Sequence, residues 1–433
     1  MEKIISLTKR RGFIFPSSEI YGGLSSAWDY GPLGVQLKNN LQAFWWREMT
    51  QLRSDIVGID SAILMHPQVW EASGHIDNFT DLMVEDTVTN ERYRYDHLTE
   101  NERIHNRSPK GNKLSEPRQF NLMFQTHVGP VQDTRSVIYL RPETAQGIYV
   151  NYKNILQTSR LKLPFGIAQV GKAFRNEIVT KSFIFRTCEF EQMEMQFFVE
   201  PKEDEQWFAY WKDKRMNYYR KLGIRSDYLR MHPHAKEELA HYAKAAFDIQ
   251  YQFPFGWGEL EGIHNRSNYD LQQHECFSHK DMRYINDEGV RFYPYIIETS
   301  VGLTRMLLMV LLDAYEEENE EDRTVLRLHP HVAPYTIGVF PLVKKDGLRI
   351  LAENLARELR NEFHVFYDHS GAIGRRYRRQ DEIGTPYCIT VDYQTKEDNT
   401  VTIRLRDNME QKRIPIVAIA DEIKRLNGEY QRF

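Results

Sequence analysis

The chain has 433 residues, 41% hydrophobic and 27% charged, with a formal net charge of −4. This composition excludes a disordered or fibrous protein, and the length exceeds what one hydrophobic core organises, so we expect two or three domains. The three cysteines form no CxxC pair and no apolar run approaches membrane-spanning length, which predicts a cytoplasmic protein with no disulfide framework, no structural zinc and no membrane partner.

The first predicted elements are a Gly/Pro turn, Trp28 to Gly34, and an amphipathic helix, Val35 to Met49. Taken alone, they would fit ordinary packing. Residues 84–140 follow as a polar, Asn/Arg-rich stretch with little periodicity, which indicates an insertion or a set of short strands.

The middle of the chain alternates between strand-like and helix-like segments. We predict strands at Phe165 to Asn176, Glu189 to Val199 and Phe292 to Thr299, and helices at Glu203 to Leu222 and His234 to Ile249. Hairpin-scale loops between strands favour an antiparallel sheet flanked by helices, with a second insertion near 201–255.

One strand carries an unusual polar face. The period of two between Glu189 and Val199 places Gln192, Glu194 and Gln196 on the same side. Such a face is costly unless it lines a wet or ligand-filled cleft. Arg175 at the end of the preceding strand and Arg186 in the connecting loop would match the phosphate oxygens of a nucleotide. A structural salt-bridge hairpin is an equally compatible interpretation.

A second segment indicates an anion site. Tyr295 to Thr299 is predicted as a strand and Ser300 to Gly302 as a turn, followed by a helix with Arg305 in its first turn. Met306 to Leu312 is apolar on all sides and therefore buried. A helix N-terminus beside an arginine binds anions well, although a single such arginine is more often a capping or surface residue.

The last hundred residues change character after the acidic run Glu316 to Asp322, which we interpret as a solvated helix end or linker. The division predicts a first domain over 1–330 and a second over 331–433. Strand–helix alternation in the second favours a small α/β domain with a mixed sheet. The predicted elements are strands Tyr335 to Leu342, Val365 to Tyr367, Tyr387 to Val391 and Val401 to Leu405, and helices Gly347 to Leu359 and Ile416 to Leu426.

In this order, the turn–helix, the strand–loop–strand and the strand–helix resemble the three signature motifs of class II aminoacyl-tRNA synthetases. More specific are the sequences around them, which resemble the glycine-specific family of dimeric type over nearly the whole chain. They are Arg141 to Ile148, Leu163 to Gly171, Phe174 to Ile178, Glu298 to Arg305 and, in the C-terminal domain, Gly371 to Asp392. The resemblance implies an α+β catalytic domain built on an antiparallel sheet, followed by an anticodon-binding domain.

The resemblance also implies an ATP site with Arg175 and Arg305 as catalytic residues. Arg175 would hold the α-phosphate and Glu177 the adenine, while Arg186 and Arg305 would engage the β- and γ-phosphates or stack on the base. Glu259 would act through a Mg²⁺ ion that accompanies ATP. The other residues placed in this site are Asn176, Phe185, Leu260, Gly302 and Phe190, the last stacking on adenine.

Glycine would be surrounded by carboxylates. The residues implied are Glu143, Gln192, Glu194, Glu298 and Ser300, with Arg94 and Arg266 as further pocket residues. Because glycine has no side chain to grip, selection must come from excluding larger amino acids, and carboxylates around the ammonium group leave no room for a methyl group. Glycine's carboxylate would attack the α-phosphorus, and a terminal adenosine hydroxyl of tRNA(Gly) would then take the glycyl group.

For the second domain, the resemblance favours RNA contacts through Arg375, Arg376, Arg378 and Arg379, although an isolated basic run is by default a solvated helix face. It also implies a homodimer. Two departures stand out. The cysteines that the family often carries after the first motif are absent here, so we predict no zinc, and Thr304 replaces a glycine often found before the last arginine.

The sequence disfavours three other functions. A non-catalytic nucleic-acid-binding paralogue would lack the ATP-site arginines and pocket acids, all of which are present. A synthetase for another small amino acid would replace the pocket acids with apolar residues, and none is replaced. An NAD-dependent enzyme is disfavoured because no strand-associated GxGxxG occurs.

Overall fold

The computed structural model describes residues 1–24, 26–130, 136–178, 182–240, 242–321 and 323–430. The helices found there are α1 (Glu2–Arg11), α2 (Pro32–Trp46), α3 (Pro67–Ala72), α4 (His75–Asn78), α5 (Glu100–Ile104), α6 (Ala145–Ser159), α7 (Asp204–Lys221), α8 (Tyr269–Ser278), α9 (Leu303–Ala314), α10 (Leu348–Leu359), α11 (Ile373–Ile383), α12 (Tyr393–Asp398) and α13 (Ile419–Glu429).

The strands of the N-terminal half are β1 (Ile14–Pro16), β2 (Trp28–Tyr30), β3 (Ile56–Ile59), β4 (Thr80–Glu85), β5 (Arg92–Arg94), β6 (Arg118–Asn121), β7 (Gln125–His127), β8 (Val137–Tyr139), β9 (Phe165–Phe174), β10 (Glu189–Val199) and β11 (Leu229–Pro233). The remaining strands are β12 (Ala245–Phe253), β13 (Gly256–Ser267), β14 (Tyr284–Ile285), β15 (Arg291–Phe292), β16 (Tyr295–Gly302), β17 (Tyr315–Glu318), β18 (Arg323–Leu326), β19 (Ile337–Pro341), β20 (Val365–Tyr367), β21 (Tyr387–Val391), β22 (Thr400–Leu405) and β23 (Gln411–Pro415).

A seven-stranded sheet in the order β11-β12-β13-β16-β10-β9-β3 forms the centre of the first domain. Every neighbouring pair is antiparallel except the edge pair of β3 and β9, which is parallel. This confirms the predicted antiparallel sheet flanked by helices. Because successive side chains of a strand point to opposite faces, each central strand contributes to two different environments.

The two faces of this sheet are covered differently. On β10, Met193, Met195 and Phe197 enter the larger core, which also contains the buried residues of α2, α7 and α9. The opposite face packs against α6 and α8, with Phe198 of β10 in a smaller core. Gln192, Glu194 and Gln196 share the face of Phe198, so the polar stretch predicted from the sequence lies under helix α6.

The second domain contains a five-stranded mixed sheet in the order β20-β19-β21-β22-β23. The pairs β19–β20 and β19–β21 are parallel, and the pairs β21–β22 and β22–β23 are antiparallel. The amphipathic helices α10 and α13 bury their apolar stripes against this sheet. The mixed sheet predicted for the C-terminal domain is therefore confirmed.

The predicted helix His234 to Ile249 is wrong. The chain ends β11 at Pro233, forms a short 3₁₀ turn at Lys236–Glu238 and then enters β12 at Ala245. The alanines of this segment favour a helix locally, but pairing with β13 buries Ala246, Ile249, Tyr251 and Phe253. Sheet pairing therefore overrides the weak local propensity.

Two predicted connections also differ from the structure. No turn separates strand and helix at Ser300 to Gly302, because β10 pairs with β16 as far as Gly302 and helix α9 begins at Leu303. The acidic run is not a solvated helix end either, since its first residues form β17, which pairs with β18. Two of its carboxylates, Glu316 and Glu318, bind Arg327.

Candidate active site

A cavity of about 270 Å³ opens over the α6 face of the central sheet. Strands β10, β13 and β16 form its floor, and the loop between β9 and β10 and the start of α9 form one end. The lining residues are Glu143, Arg175, Glu177, Phe185, Arg186, Thr187, Phe190, Gln192, Glu194, Tyr242, Glu259, Gly262, His264, Glu298, Ser300, Gly302, Thr304 and Arg305. Most of the residues predicted for ATP and glycine are thus brought together in one place.

Arginines gather at one end of the cavity. The Arg175 guanidinium group donates to the carbonyl of Pro142 at 3.0 Å and lies 5.3 Å from the ring centre of Phe190. Arg305 donates to the carbonyl of Phe185 at 3.0 Å, with its guanidinium carbon 4.5 Å from the Phe185 ring. These contacts fix the direction of each guanidinium group before any ligand arrives.

The same end also holds two carboxylates. Arg305 Nη1 lies 3.1 Å from Glu259 Oε2, and Arg186 Nη1 lies 3.7 Å from Glu177 Oε2. The positive charge of Arg305 lowers the pKa of Glu259 and outweighs the opposing effect of burial. Arg175 has no such close carboxylate partner among the described residues. This end can therefore accept an anion with delocalised charge, such as a polyphosphate.

Carboxylates converge at the other end. Glu298 Oε1 accepts from His264 Nδ1 at 2.6 Å, while Oε2 accepts from Arg266 Nη1 at 2.9 Å and from Gln196 Nε2 at 2.8 Å. Burial favours the neutral acid, but the charge of Arg266 and the His264 hydrogen bond outweigh it and lower the Glu298 pKa to about 2. Glu298 is therefore an ionised carboxylate held by three donors.

Glu194 lies beside it with neutral partners. The Thr144 hydroxyl donates to Oε2, and the Gln196 amide lies 3.3 Å from Oε1. Burial, together with the negative charges of Glu298 and Glu143, raises the pKa of Glu194 well above its ordinary value. The pKa values of the two neighbouring glutamates of this end are therefore shifted in opposite directions, that of Glu298 downward and that of Glu194 upward.

Glu143 forms the third side of the acidic end. His75 Nε2 lies 3.4 Å from Glu143 Oε2, and the Gln146 amide donates to Oε1 at 3.0 Å. Burial opposes ionisation, but His75 and Arg266 outweigh it and lower the pKa of Glu143. Glu143 stands just before α6, so the N-terminus of that helix sets its position over the sheet.

Four predicted site residues do not line the cavity. Arg266 is buried behind Glu298 and also binds Asp270, so its guanidinium group is not part of the cavity wall. Arg94 binds Asp81 and Asp96 on the small sheet of β4 to β6. The Leu260 side chain belongs to the larger core, and the Asn176 main-chain N–H donates to the Leu122 carbonyl at 2.7 Å.

Several residues of the site were missed from the sequence. His264, Tyr242, Thr187, Gly262 and Thr304 line the cavity, and His75, Thr144, Gln146 and Asp270 support its carboxylates. Gln196, which the polar face of β10 had already indicated, donates to Glu298. One signal was available for Asp270. His274, whose ring contacts Gln146, follows Asp270 by four residues, the spacing that places two side chains on the same side of a helix.

The four arginines predicted for RNA lie on helix α11 but face different ways. Arg376 is buried and donates to the carbonyls of Pro341 and Leu342. Arg379 binds Asp368 at 3.0 Å, and Arg378 is half-buried beside Met409. Arg375 is exposed. The run alternates around a helix, so sequence proximity does not give a common surface.

The described part of the chain has neither a preformed metal-binding cluster nor a membrane-spanning helix. No cluster of three or more His, Cys, Asp or Glu side chains there has the arrangement of a metal site. In the same residues, no helix combines the length and apolar character needed to cross a bilayer.

Two family models match the chain. Residues 124–315 match the tRNA synthetase class II core domain (G, H, P, S and T), and residues 336–426 match the anticodon binding domain. Curated relatives named glycine–tRNA ligase match almost end to end. The protein from Treponema denticola is 61% identical, covering 100% of this chain and 98% of its own length. The protein from Borreliella burgdorferi is 59% identical, covering 98% of this chain and 97% of its own length. The protein from Treponema pallidum is 54% identical, covering 100% of both chains.

Proposed function

The chain belongs to the glycine–tRNA ligase family of class II aminoacyl-tRNA synthetases, and we propose that the two ends of its cavity divide the substrates, with ATP at the arginines and glycine at the carboxylates. The chain uses ATP to form glycyl-adenylate and transfers the glycyl group to the 3′-terminal adenosine of tRNA(Gly). The observation that carries the division of roles is the separation of charge along one cavity.

At the nucleotide end, Arg175 binds the α-phosphate, while Arg305 and Arg186 bind the outer phosphates. Phe190, already 5.3 Å from the Arg175 guanidinium group, offers its ring to the adenine, and Glu177 accepts from the adenine amine. As glycine's carboxylate oxygen attacks the α-phosphorus and the bond to pyrophosphate breaks, charge shifts onto the leaving group. Preorganised guanidinium groups stabilise that shift because they need no reorientation during the reaction.

Glu259 suits a divalent cation that accompanies ATP. Its side chain is half-exposed and faces the cavity beside Arg305, and Mg²⁺ prefers carboxylate and phosphate oxygens. Bound there, Mg²⁺ would share the negative charge of pyrophosphate. In the absence of nucleotide, Arg305 forms an ion pair with Glu259. ATP binding would break this pair, because Arg305 would then contact phosphate oxygens and Glu259 would contact the cation.

At the carboxylate end, Glu143, Glu194 and Glu298 receive the ammonium group of glycine, with Gln192 and Ser300 completing the lining. The acids are held from behind by Arg266, His75, His264 and Thr144, so their positions cannot relax outward to accommodate a methyl group. Rejection of alanine then follows from a clash with buried, hydrogen-bonded groups.

We also propose the assembly and organisation of the protein. Residues 1–330 form the catalytic domain and 331–433 the anticodon-binding domain. Each central sheet has its own core, while Val332, Ala333 and Ile383 of the second range pack into the larger core. The protein is a cytoplasmic homodimer. Ile20 and Tyr21, 88% and 86% exposed between β1 and β2, supply an apolar surface for the second subunit.

The experiment is ATP–pyrophosphate exchange with each of the twenty amino acids, using wild type, Glu298→Ala and Arg305→Ala. Exchange with glycine alone, lost in both variants, is expected. Asp287→Ala is the control, because this exposed carboxylate binds Lys162 on the surface. Exchange with another amino acid would overturn the proposed roles of the acidic end, and unaltered exchange in Arg305→Ala would overturn those of the basic end.

A further inference from the structure

Behind the carboxylate end of the cavity, a buried amide group joins two acids. The Gln146 side chain is fully buried in the first turn of α6. Its Nε2 donates to Glu143 Oε1 at 3.0 Å and to Asp270 Oδ1 at 3.2 Å. Both N–H bonds of one amide therefore end on carboxylates, which fixes the amide plane between them.

The oxygen of the same amide is held by a histidine. His274 Nε2 lies 2.8 Å from Gln146 Oε1. Since the amide oxygen can only accept, the imidazole must carry its proton on Nε2. Burial lowers the pKa of His274, so the ring is neutral at physiological pH and this tautomer is the one that satisfies Gln146.

Asp270 and His274 are separated by one helical turn of α8. Asp270 accepts from the amide nitrogen of Gln146 and His274 donates to its amide oxygen, so helix α8 forms hydrogen bonds with both polar atoms of that side chain. A flipped amide would place its oxygen against Glu143 and Asp270 and its N–H bonds against His274. Only the observed orientation satisfies the hydrogen bonding of the Gln146 amide together with that of Glu143, Asp270 and His274.

This arrangement links the two halves of the acidic end. Asp270 accepts two bonds from Arg266, at 2.8 and 2.9 Å, and Arg266 in turn donates to Glu298 at 2.9 Å. Gln146 thus connects Glu143 on one side of the glycine subsite with the Asp270–Arg266–Glu298 chain on the other. None of these bonds reaches Arg175, Arg186 or Arg305 at the nucleotide end.

We propose that His274 is a positioning residue for glycine, acting through Gln146 to hold Glu143 and the Arg266–Glu298 pair at the separation that fits an ammonium group without a side chain. The inference rests on the proposed division of the cavity and adds a residue outside the cavity to the glycine subsite. Preorganisation of this kind lowers the cost of binding because the receptor groups are ordered beforehand.

The test compares His274→Met with His274→Gln in glycine-dependent exchange. Met removes the donor and leaves Gln146 Oε1 buried without a partner, whereas the Gln amide nitrogen can reach the position of Nε2. We expect His274→Met to raise the KM for glycine about tenfold, the effect of losing one buried hydrogen bond, with the KM for ATP unchanged. His274→Gln should restore most of the glycine affinity.

Phe277→Ala serves as the matched control, since this residue lies on the same helix, is 41% exposed and makes none of the hydrogen bonds to Gln146. Should His274→Met fail to fold by circular dichroism, Gln146→Met, which removes the amide itself, replaces it with the same expected result. Equal changes in both KM values, or a loss that His274→Gln does not restore, would overturn the inference. Absence of glycine-dependent exchange in the wild type would instead overturn the proposed function.

Discussion

Arg305 and Glu259 form an ion pair at the arginine end of the cavity, with 3.1 Å between Nη1 and Oε2. In the proposed function the two groups would have opposite tasks, because Arg305 would bind phosphate oxygens and Glu259 a cation. In the absence of substrate, this ion pair keeps both side chains oriented. Breaking it on substrate binding costs little free energy, because a solvent-exposed ion pair contributes little to stability.

Glu259→Gln should raise the Mg²⁺ concentration needed for half-maximal exchange, because a neutral amide is a weaker ligand than a carboxylate for a hard cation. Exchange measured against Mg²⁺ at fixed ATP gives the shift, with Glu317→Gln, an exposed acid bound to Lys3, as the control. An unchanged Mg²⁺ profile would remove Glu259 from the metal's ligands.

Glycine binding should release a proton. The pKa of Glu194 is raised by burial and by Glu298 and Glu143, so the free protein keeps this acid protonated to higher pH than an ordinary glutamate. An arriving ammonium group lowers that pKa, which means that glycine affinity should fall as pH falls. Calorimetry in buffers of different ionisation enthalpy measures the released proton.

Glu194→Gln should abolish this proton release while mimicking the neutral acid. A glycine-binding heat that is independent of the buffer in the wild type would contradict the prediction.

The raised pKa of Glu194 also has a consequence for the stability of the fold. The folded state binds the proton more tightly than the unfolded chain, so Glu194 costs stability as pH rises, and Glu194→Gln should raise the melting temperature more at pH 8 than at pH 5.

Arg375 and Arg376 are adjacent in sequence but should behave oppositely. Arg376→Met removes the donors to Pro341, Leu342 and Asp368, and we expect a loss of about 2–3 kcal/mol in stability of the C-terminal domain. Arg375→Ala, at an exposed position, should leave stability unchanged and raise the KM for tRNA. Thermal unfolding and aminoacylation kinetics separate the two, and a reversed pattern would refute the assignment.

The dimer should depend on the apolar turn between β1 and β2. Ile20→Asp places a charge where an apolar contact with the second subunit is proposed, so light scattering at micromolar concentration should show a shift toward the monomer mass. Val417→Asp is the control, since Val417 is 90% exposed in the C-terminal domain. A wild-type protein of monomeric mass would contradict the proposal directly.

Helical and strand periodicity predicted the secondary structure correctly where the local preference of a segment agreed with its tertiary packing. Strand β10 and helix α9 have strong patterns, and their positions were predicted well. The gathering of Arg175, Glu194, Glu298 and Arg305 around one cavity was implied by the family resemblance instead. The His234 to Ile249 segment failed because its alanines favour a helix locally while its pairing partner β13 is contributed by later residues. Periodicity within a segment carries no information about a pairing strand elsewhere in the chain.

The sequence by itself determined the fold class, the family and the types of charge in the site, because these follow from local patterns and from motifs written in consecutive residues. Only the tertiary structure decided which of the charged side chains meet. Arg266 lies behind Glu298 instead of in the cavity, Arg376 donates to main-chain carbonyls, and His274 is connected to Glu143 through Gln146, 128 positions earlier. The physical reason is that a buried polar group must find its partner in space, and folding brings together partners that sequence spacing does not relate.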